Sequence, residues 1–367
     1  MCRKTKIEPA YGNKDLLGEF DSAKKASVAF VFSVPELFEQ FRVDDKIANA
    51  ARDRTRSIGT LAVLFVFVAL VSASSNLLGH GSGPWRTGFA VVAVVLGVLG
   101  TVLGLWGMSR LSGRRQWLRY RLKTEMLRLF HFHFMAANLP AILAASGNPA
   151  AEEAYVAQRQ AAFARLKADV FREPETELEH IIDRDREYDF NTLAPPLVAT
   201  GAITPVAADL FAAWHEARLD WQGGYANAKL KKTSPVWNPL KSVKAFTNLG
   251  WACVVAIFLL HVVNLGVYGI SFWRGVPDRL PEGLLEFLLI VIAMAALALR
   301  AMEEGSQPHR EVERYEGYRA NVRVATERFD AATDVASKAD AMRGFERTSL
   351  EEMRVFLRTH AEAKFLV

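Results

Sequence analysis

Cysteine is nearly absent from this 367-residue chain, which contains only Cys2 and Cys253. With one at the N-terminus and the other inside an apolar run, they predict neither a disulfide framework nor a cysteine metal site. The chain also has little net charge, because its 45 basic and 40 acidic residues leave an excess of only +5. That excess is too small to imply a nucleic-acid partner. We find no P-loop, nucleophile–base set or metal motif, and therefore expect no catalytic residue, cofactor or metal.

Strand signals are nearly absent as well, and helix signals take their place. Pro149, Pro174 and Pro205 each stand where a first helical residue is expected, a position that proline favours. Ser349 and Glu352 form a capping box, which predicts another helix start. Apolar residues recur three and four positions apart, as one face of a helix requires. These stripes comprise Leu118, Leu122, Met126 and Phe134; Val312, Tyr315, Tyr318, Val322 and Phe329; and Leu350, Met353, Leu357 and His360.

The chain does contain long apolar runs, arranged as two widely separated pairs. They are Ile58–Leu78, Thr87–Met108, Ala245–Ile270 and Glu286–Leu299. The first three reach the roughly 20 residues that a helix needs to cross about 30 Å of hydrocarbon. The fourth has a shorter charge-free core, but Leu284–Met302 is long enough if Glu286 and Arg300 snorkel or face protein.

Buried helices of a soluble protein are the alternative interpretation of these runs. Leu61–Val71 and Ala90–Leu103 have no polar face, which argues against it, because a soluble protein's surface helix presents one. We therefore predict an all-α membrane protein with four transmembrane helices in two hairpins and a cytoplasmic helical bundle. No cleavable signal peptide is expected, since some 57 mostly polar residues precede the first run.

Basic residues flank the runs asymmetrically and predict their orientation. The two short loops within the pairs contain only Arg86, Arg274 and Arg279, whereas the other flanks are rich in arginine and lysine. The positive-inside rule then places both termini and residues 110–244 in the cytoplasm. The predicted segments are a cytoplasmic N-terminal segment with a juxtamembrane helix (1–56), a first hairpin (57–108), a cytoplasmic helical domain (109–244), a second hairpin (245–303) and cytoplasmic C-terminal helices (304–367).

Four glycines in the second run are spaced to lie along one seam of a helix. They are Gly97, Gly100, Gly104 and Gly107. Small residues four apart let another helix approach closely, so we predict a packing seam. Its partner, whether in the same protomer or in another, stays open at this point. Ordinary glycine enrichment in membrane spans is the alternative.

Polar residues inside the second pair of runs are the candidate pore residues. Glu286 lies about one turn inside the outer end of the fourth run, where an unpaired carboxylate is costly and often functional. His261 and Asn264 lie one turn apart in the third run. The three could form a polar cluster that lines a cation path. Alternatively, Glu286 lies at headgroup level as the end of the outer loop.

A family resemblance accompanies these features. Arg218, Gln222, Tyr225 and Lys229 resemble the helix that precedes the membrane hairpin in SLATT domains, the two-span effectors associated with SMODS nucleotidyltransferases and SLOG sensors. Leu118–Arg128, with Tyr120, Arg121, Glu125, Leu127 and Arg128, is similar to the helix that follows that hairpin. Met353–His360 resembles the end of membrane proteins that accompany TRPM-type SLOG domains. The resemblance covers residues 218–367 and, in a divergent second copy, residues 35–146.

The resemblance implies a pore or membrane lesion that opens when a partner senses a nucleotide. We see no glycine-rich nucleotide loop after a strand in this chain, so sensing would fall to a partner protein or to the helical middle domain. We accordingly expect a homo-oligomeric effector that lies in the lipid bilayer of the bacterial inner membrane and forms a channel-like pore in a nucleotide-signalled defence system. A non-conducting membrane anchor for a soluble sensor or enzyme is the alternative. A small transporter fits less well, because no proline interrupts any of the four runs.

Overall fold

A computed structural model of the chain describes residues 13–17, 26–78, 84–108, 113–172, 174–182, 201–231, 239–274 and 283–362. Within these ranges every regular element is a helix, which confirms the prediction of an all-α protein. The chain divides into two compact units. The polar unit comprises Met1–Ala50, Gln116–Lys232 and Arg310–Ala361, and the span unit comprises Ala51–Arg115, Thr233–His309 and Glu362–Val367.

The span unit contains the four apolar runs. They lie on α3 (Pro35–Ser74) and the 3₁₀ turn Ser75–Leu78 that follows it, α4 (Pro84–Met108), α11 (Pro239–Arg274) and α12 (Leu284–Ser306). Four helices are therefore long and apolar enough to cross a membrane, as predicted. Their outer surfaces expose large apolar side chains such as Val94, Leu265 and Leu297, which a soluble domain would bury.

Two packing contacts organise the span unit. Helices α11 and α12 lie against each other, and the start of α12 contacts the 3₁₀ turn after α3. At that second contact Gly283 has φ +78°, and a Cβ there would lie 1.8 Å from the Leu77 carbonyl oxygen. Only glycine provides both the left-handed backbone and the missing side chain that this approach requires.

The polar unit is a packed group of helices drawn from three separate stretches of chain. They are α1 (Lys14–Leu17), α2 (Ala29–Phe32), the first part of α3, α5 (Gly113–Ala137), α6 (Leu139–Ala145), α7 (Pro149–Val170), α8 (Pro174–Ile182), α9 (Pro205–Trp214), α10 (Trp221–Lys231), α13 (Pro308–Ala331) and α14 (Val335–Glu362). A π-helical turn, His215–Asp220, joins α9 to α10. Helix α5 is the centre of the unit, because every residue from Met126 to Ala137 is buried, which requires neighbours on all sides.

The predicted helix starts at the three prolines are confirmed. α7 begins at Pro149, α8 at Pro174 and α9 at Pro205. Asn148 and Thr204 supply the N-caps of α7 and α9, since their side chains accept hydrogen bonds from the amides of Ala151 (3.4 Å) and Ala207 (3.2 Å). The apolar stripes on α5, α13 and α14 are also buried, apart from Val312, which is half-buried. Local spacing therefore predicted these faces correctly.

The helix start predicted at Ser349 is wrong. Ser349 lies in the middle of α14, which runs without a break from Val335 to Glu362. The N-cap is Asp334 instead, whose carboxylate accepts hydrogen bonds from the Ser337 amide (2.9 Å) and hydroxyl (2.7 Å). Ser349 and Asp334 both have the sequence of a helix N-cap. Only Asp334 is preceded by residues that are not helical, so only there can a helix begin.

A buried ionic network as the candidate functional site

Charged side chains on α5 begin the candidate site. Arg121, Glu125 and Arg128 are four and three residues apart and so share one face of the helix. The Glu125 carboxylate lies 2.5 Å from the Arg121 guanidinium and 2.6 Å from that of Arg128. Burial acts to raise the pKa of Glu125, but the two arginines outweigh it and lower the pKa to about 2. Glu125 is therefore ionised at neutral pH and lies between the two guanidinium groups, whose mutual repulsion it offsets.

Asp15, on the short helix α1, connects α5 to the segment that precedes the third apolar run. Its carboxylate lies 2.7 Å from Arg128 Nε and accepts a 2.8 Å hydrogen bond from Nε2 of the Gln222 side chain. It also lies 3.8 Å from Arg218. The Asp15 side chain is only 1% exposed, so all three contacts are shielded from water and from salt.

Arg218 lies in the π-helical turn and makes the most buried ion pair of the network. Its Nε and Nη2 donate hydrogen bonds of 2.9 and 2.7 Å to the two carboxylate oxygens of Glu346 on α14. Both side chains are at most 2% exposed. The guanidinium also lies over the rings of Phe132 (4.7 Å) and Phe345 (5.2 Å). Burial opposes its charge, but Glu346 raises the pKa of Arg218 above its ordinary value.

The π-helical turn determines where Arg218 points. The Trp221 amide bonds to the Glu216 carbonyl five residues back, whereas an α-helix bonds four residues back. One extra residue in a turn rotates the following side chains relative to those before it, and such bulges occur frequently at functional sites. Here the bulge lies between the buried Trp214 of α9 and the buried Gln222 of α10. Both flanking helices therefore keep their packing while Arg218 faces Glu346.

Tyrosines on α13 complete this part of the site. Tyr318 donates a 3.0 Å hydrogen bond to Oε1 of the Gln222 side chain, so this side chain bridges Tyr318 and Asp15. The hydroxyls of Tyr225 and Tyr315 lie 3.5 Å apart. Burial raises the pKa of Tyr318 well above its ordinary value, which keeps the phenol neutral and able to donate. Asp45 on α3 is also attached, because it lies 3.6 Å from Arg121.

We call this group the ionic network. It consists of Asp15, Asp45, Arg121, Glu125, Arg128, Arg218, Gln222, Tyr318 and Glu346. Its members come from six helical segments of the chain, and four of these segments contain, precede or follow an apolar run. A single buried arrangement of charges thus fixes the mutual positions of these segments.

A second charged cluster lies on α13 and α14. Arg314 pairs with Glu311 (3.2 Å) and with Glu352, and His360 Nε2 lies 3.0 Å from Glu311. The His360 ring stacks edge-on against Trp117 of α5 at 4.9 Å. Arg314 and His360 outweigh burial and hold the pKa of Glu311 far below its usual range. This cluster joins the two C-terminal helices to the start of α5.

Sequence reasoning found part of the ionic network without recognising it as one site. Arg218, Gln222, Arg121, Glu125 and Arg128 were selected as motif residues, and the structure brings them together. Asp15, Asp45 and Glu346 were missed. Glu346 gave a usable signal, because it follows Phe345 on a face of α14 that is otherwise apolar at Ala339 and Met342. A carboxylate on such a face requires a buried partner.

The polar residues of the second pair of runs are placed differently. Glu286 is exposed in the first turn of α12, His261 is exposed on α11, and Asn264 is half-buried. Among the described residues no hydrogen bond joins any two of these three. Glu286 and His261 are thus open to the surroundings of the two helices, and Asn264 is partly covered.

The glycines of α4 differ among themselves. A Cβ at Gly100 would lie 2.6 Å from Val66 Cγ2 and 3.0 Å from the Val66 backbone nitrogen, so α4 meets α3 there almost backbone to backbone. Gly97 is in ordinary contact with Ala69, at 3.7 Å, and Gly104 is buried. A Cβ at Gly107 would meet nothing within 4 Å. The close partner of this seam is therefore α3 of the same chain.

Comparisons with known proteins add no relative. No family model matches the chain, and no curated protein or solved structure matches it either.

Proposed function

We propose that the protein is a membrane effector that forms a channel-like pore, gated through the helices of its polar unit. The observation that supports this best is the distribution of the ionic network along the chain. Asp45 lies on α3, the helix that also contains the first apolar run, and α5 follows the second run. The Arg218–Gln222 segment precedes the third run, and α13, with Tyr318, follows the fourth. Each span thus has a neighbouring segment held by the network.

Buried ion pairs suit such a coupling role better than a purely stabilising one. Replacing a buried pair by apolar side chains is often neutral or stabilising, so its retention points to specificity or switching. A buried network of charges is stable only in geometries that pair every member, and intermediate geometries that leave a charge unpaired are costly. A signal that separates Arg218 from Glu346 would therefore release several span-linked segments together.

The proposed setting is a bilayer, with the apolar helices in two hairpins and the polar unit as a cytoplasmic bundle. The basic flanks support cytoplasmic termini. The resemblance to SLATT-type proteins supports a bacterial inner membrane, a homo-oligomer and a trigger delivered by a nucleotide-sensing partner. No nucleic-acid partner is proposed.

A non-conducting anchor is the alternative, and one observation weakens it. Such an anchor would recruit its partner through the C-terminal helices, and the apolar stripe of α14 is the surface that a partner would be expected to cover. Leu350, Met353 and Leu357 are buried within the polar unit. A docking partner would therefore need a different surface, whereas a gating role uses these helices as they are packed.

The topology can be tested by reporter fusions. We expect a fusion after Asn148 to report a cytoplasmic location, and fusions after Gly81 and Val276, both outside the described residues, to report export. The basic asymmetry of the flanks is the reason. An exported reporter at Asn148 would contradict the whole arrangement, since it would place the basic flanks on the outer side.

Conduction can be tested at Glu286. A carboxylate near the mouth of a pore concentrates cations, so Glu286→Gln should lower cation conductance several-fold while leaving expression unchanged. Glu286→Lys should lower it further, because it reverses the local field. The measurement is single-channel or macroscopic current in planar bilayers, with the trigger supplied. Glu282→Gln, in the loop outside the described residues, is the control and should be nearly silent, and added salt should reduce the Glu286 effect by screening.

Equal currents for the wild type and both Glu286 variants would remove Glu286 from the pore. Absence of current from every variant, with partner and trigger present, would favour the anchor.

A further inference from the structure

Arginines are concentrated at the polar end of the first pair of apolar helices. The stretches 51–58 and 113–115, both in the span unit, contain five arginines and a single acidic residue, Asp53. Asp53 lies 3.1 Å from Arg52, the residue before it. The remaining arginines are Arg54, Arg56, Arg114 and Arg115. This end of the span unit therefore has an excess of positive charge.

The start of α5 brings the arginines of the two stretches together. A Cβ at Gly113 would lie 2.9 Å from Thr55 Oγ1 and 3.3 Å from the Ala51 carbonyl oxygen, so the first residue of α5 lies against this turn of α3. Arg54 is next to Thr55 in sequence, and Arg114 is next to Gly113. Arginines that are distant in sequence therefore start from a single contact between two helices.

The environment of Arg114 favours a bound anion. Its side chain is half-buried, and Arg115 lies beside it. Burial lowers the pKa of Arg114, and the positive charge of Arg115 lowers it further. Both causes act against the charge of the guanidinium, and an anion beside it would offset them. Phosphate suits this place, because its several oxygens match the planar fork of donors that arginine presents.

An apolar surface of α4 leads away from the arginines. Arg54 Cζ lies 6.0 Å from the centre of the Trp106 ring, which is 49% exposed. Val95, Leu99 and Val102 are also exposed and lie on the same face of α4 as Trp106. From Val95 to Trp106 the helix rises about 16 Å, about the depth of one leaflet of hydrocarbon. A ligand that fits both parts has a phosphate at one end and an acyl chain at the other.

We propose that Arg54, Arg114 and Arg115 bind the phosphate of an anionic phospholipid whose acyl chains lie along the exposed face of α4. The inference goes beyond the proposed function and shares only its membrane setting. Lipid of any kind can cover the apolar face, and the arginines add a preference for negative charge. A zwitterionic headgroup attaches a cation to the same phosphate, which the arginines repel. In the proposed orientation the bound lipid belongs to the cytoplasmic leaflet, where basic clusters beside a span attract anionic lipids.

The test is native mass spectrometry of the full chain in non-ionic detergent. The protein is titrated with dioleoyl phosphatidylglycerol or with dioleoyl phosphatidylcholine. We expect the wild type to bind the first phosphatidylglycerol at least about tenfold more tightly than phosphatidylcholine. Arg114→Gln with Arg115→Gln should weaken phosphatidylglycerol binding about 25-fold, because each arginine near an anionic lipid contributes about fivefold. The same variant should bind phosphatidylcholine like the wild type.

Two further double variants serve as controls. Arg319→Gln with Arg323→Gln removes the same charge from exposed positions on α13 and should leave the binding of both lipids unchanged. Arg114→Lys with Arg115→Lys keeps the charge at the site and should retain most of the phosphatidylglycerol binding. The lysine variant thus separates the loss of charge from a failure to fold.

Glycerol 3-phosphate distinguishes a lipid from a free phosphate, because it has the phosphate without the acyl chains. We expect that it does not displace phosphatidylglycerol even in large excess. Displacement would show that the site takes a free phosphate and would overturn the lipid as its ligand. Equal affinity of the wild type for the two lipids, or equal losses in the glutamine variant and the α13 control, would overturn the site itself.

The failure of this site and the failure of the pore give different results. Selective binding of phosphatidylglycerol without current under any condition would retain the site and refute conduction. Current that depends on Glu286, together with equal affinity for the two lipids, would retain the pore and refute the site.

Discussion

An Arg218→Met variant is expected to lose about 3–5 kcal/mol of the free energy of unfolding of the polar unit, because removal of one partner leaves a buried charge uncompensated. Glu346 would lose both hydrogen bonds from the guanidinium. Burial already raises the pKa of Glu346, so the carboxyl would bind a proton and limit the loss. Hydrogen exchange of the α5 and α14 amides measures the effect, since their opening reports the stability of this unit.

Two further variants distinguish the loss of the ion pair from the loss of packed volume and from the loss of an exposed arginine. Arg218→Met with Glu346→Leu removes both charges and keeps apolar volume, and should recover most of the lost stability. Arg323→Met is the exposed control: Arg323 pairs with Glu327 at 3.8 Å, with both side chains largely exposed, and such pairs contribute little. Unchanged exchange in the Arg218→Met single variant would show that the network is not needed to hold these helices.

The double variant also tests the proposed gating. If the charges only stabilised the fold, the recovered protein would conduct like the wild type. If they set the closed geometry, the double variant should be stable yet conduct without its trigger. Stability and gating are then measured on the same protein in detergent and in planar bilayers.

Gly100→Leu is expected to disrupt the pairing of α3 with α4. The first side-chain carbon alone would lie 3.0 Å from the Val66 backbone nitrogen and 3.2 Å from the Ala62 carbonyl oxygen, and a backbone cannot turn aside as a side chain can. Overpacking of this kind costs about 1–3 kcal/mol, and more when backbones must separate. We expect a lower midpoint of thermal unfolding in detergent and a shift toward aggregated species.

Gly107→Leu provides the matched control on the same helix. Nothing lies within 4 Å of a Cβ at that position, so the variant should unfold at the wild-type temperature. Equal destabilisation by both substitutions would mean that leucine changes the stability of α4 itself and that α4 does not lie close to α3 at Gly100.

Much of the fold was predictable because it depends on neighbouring residues. The prolines at 149, 174 and 205 begin helices through local geometry, and the apolar runs are recognisable from composition alone. The stripe on α13 was buried as its spacing indicated. Ser349 shows the limit of local reasoning. Its capping pattern does not interrupt α14, because the residues before it, such as Met342 and Phe345, are buried on the inner face of the same continuous helix.

The ionic network was not predictable as a site, since its pairs join residues that are far apart in sequence. Arg218 and Glu346 are separated by 128 residues, and Gln222 and Asp15 by 207. Nothing in the local pattern at Arg218 specifies a partner on α14. The π-helical turn is a second obstacle, because the ordinary helical repeat assigns Arg218 a direction that the extra residue changes.

The discontinuity of the polar unit has a consequence for biosynthesis. Its three stretches are separated along the chain by the first and second pairs of apolar helices, so a ribosome makes Arg218 well before it makes Glu346. Until α14 emerges, the nascent protein has its cations in place without the carboxylate that pairs with Arg218. Complete translation therefore precedes maturation of this unit, because a product truncated before α14 would contain Arg218 without the carboxylate of Glu346.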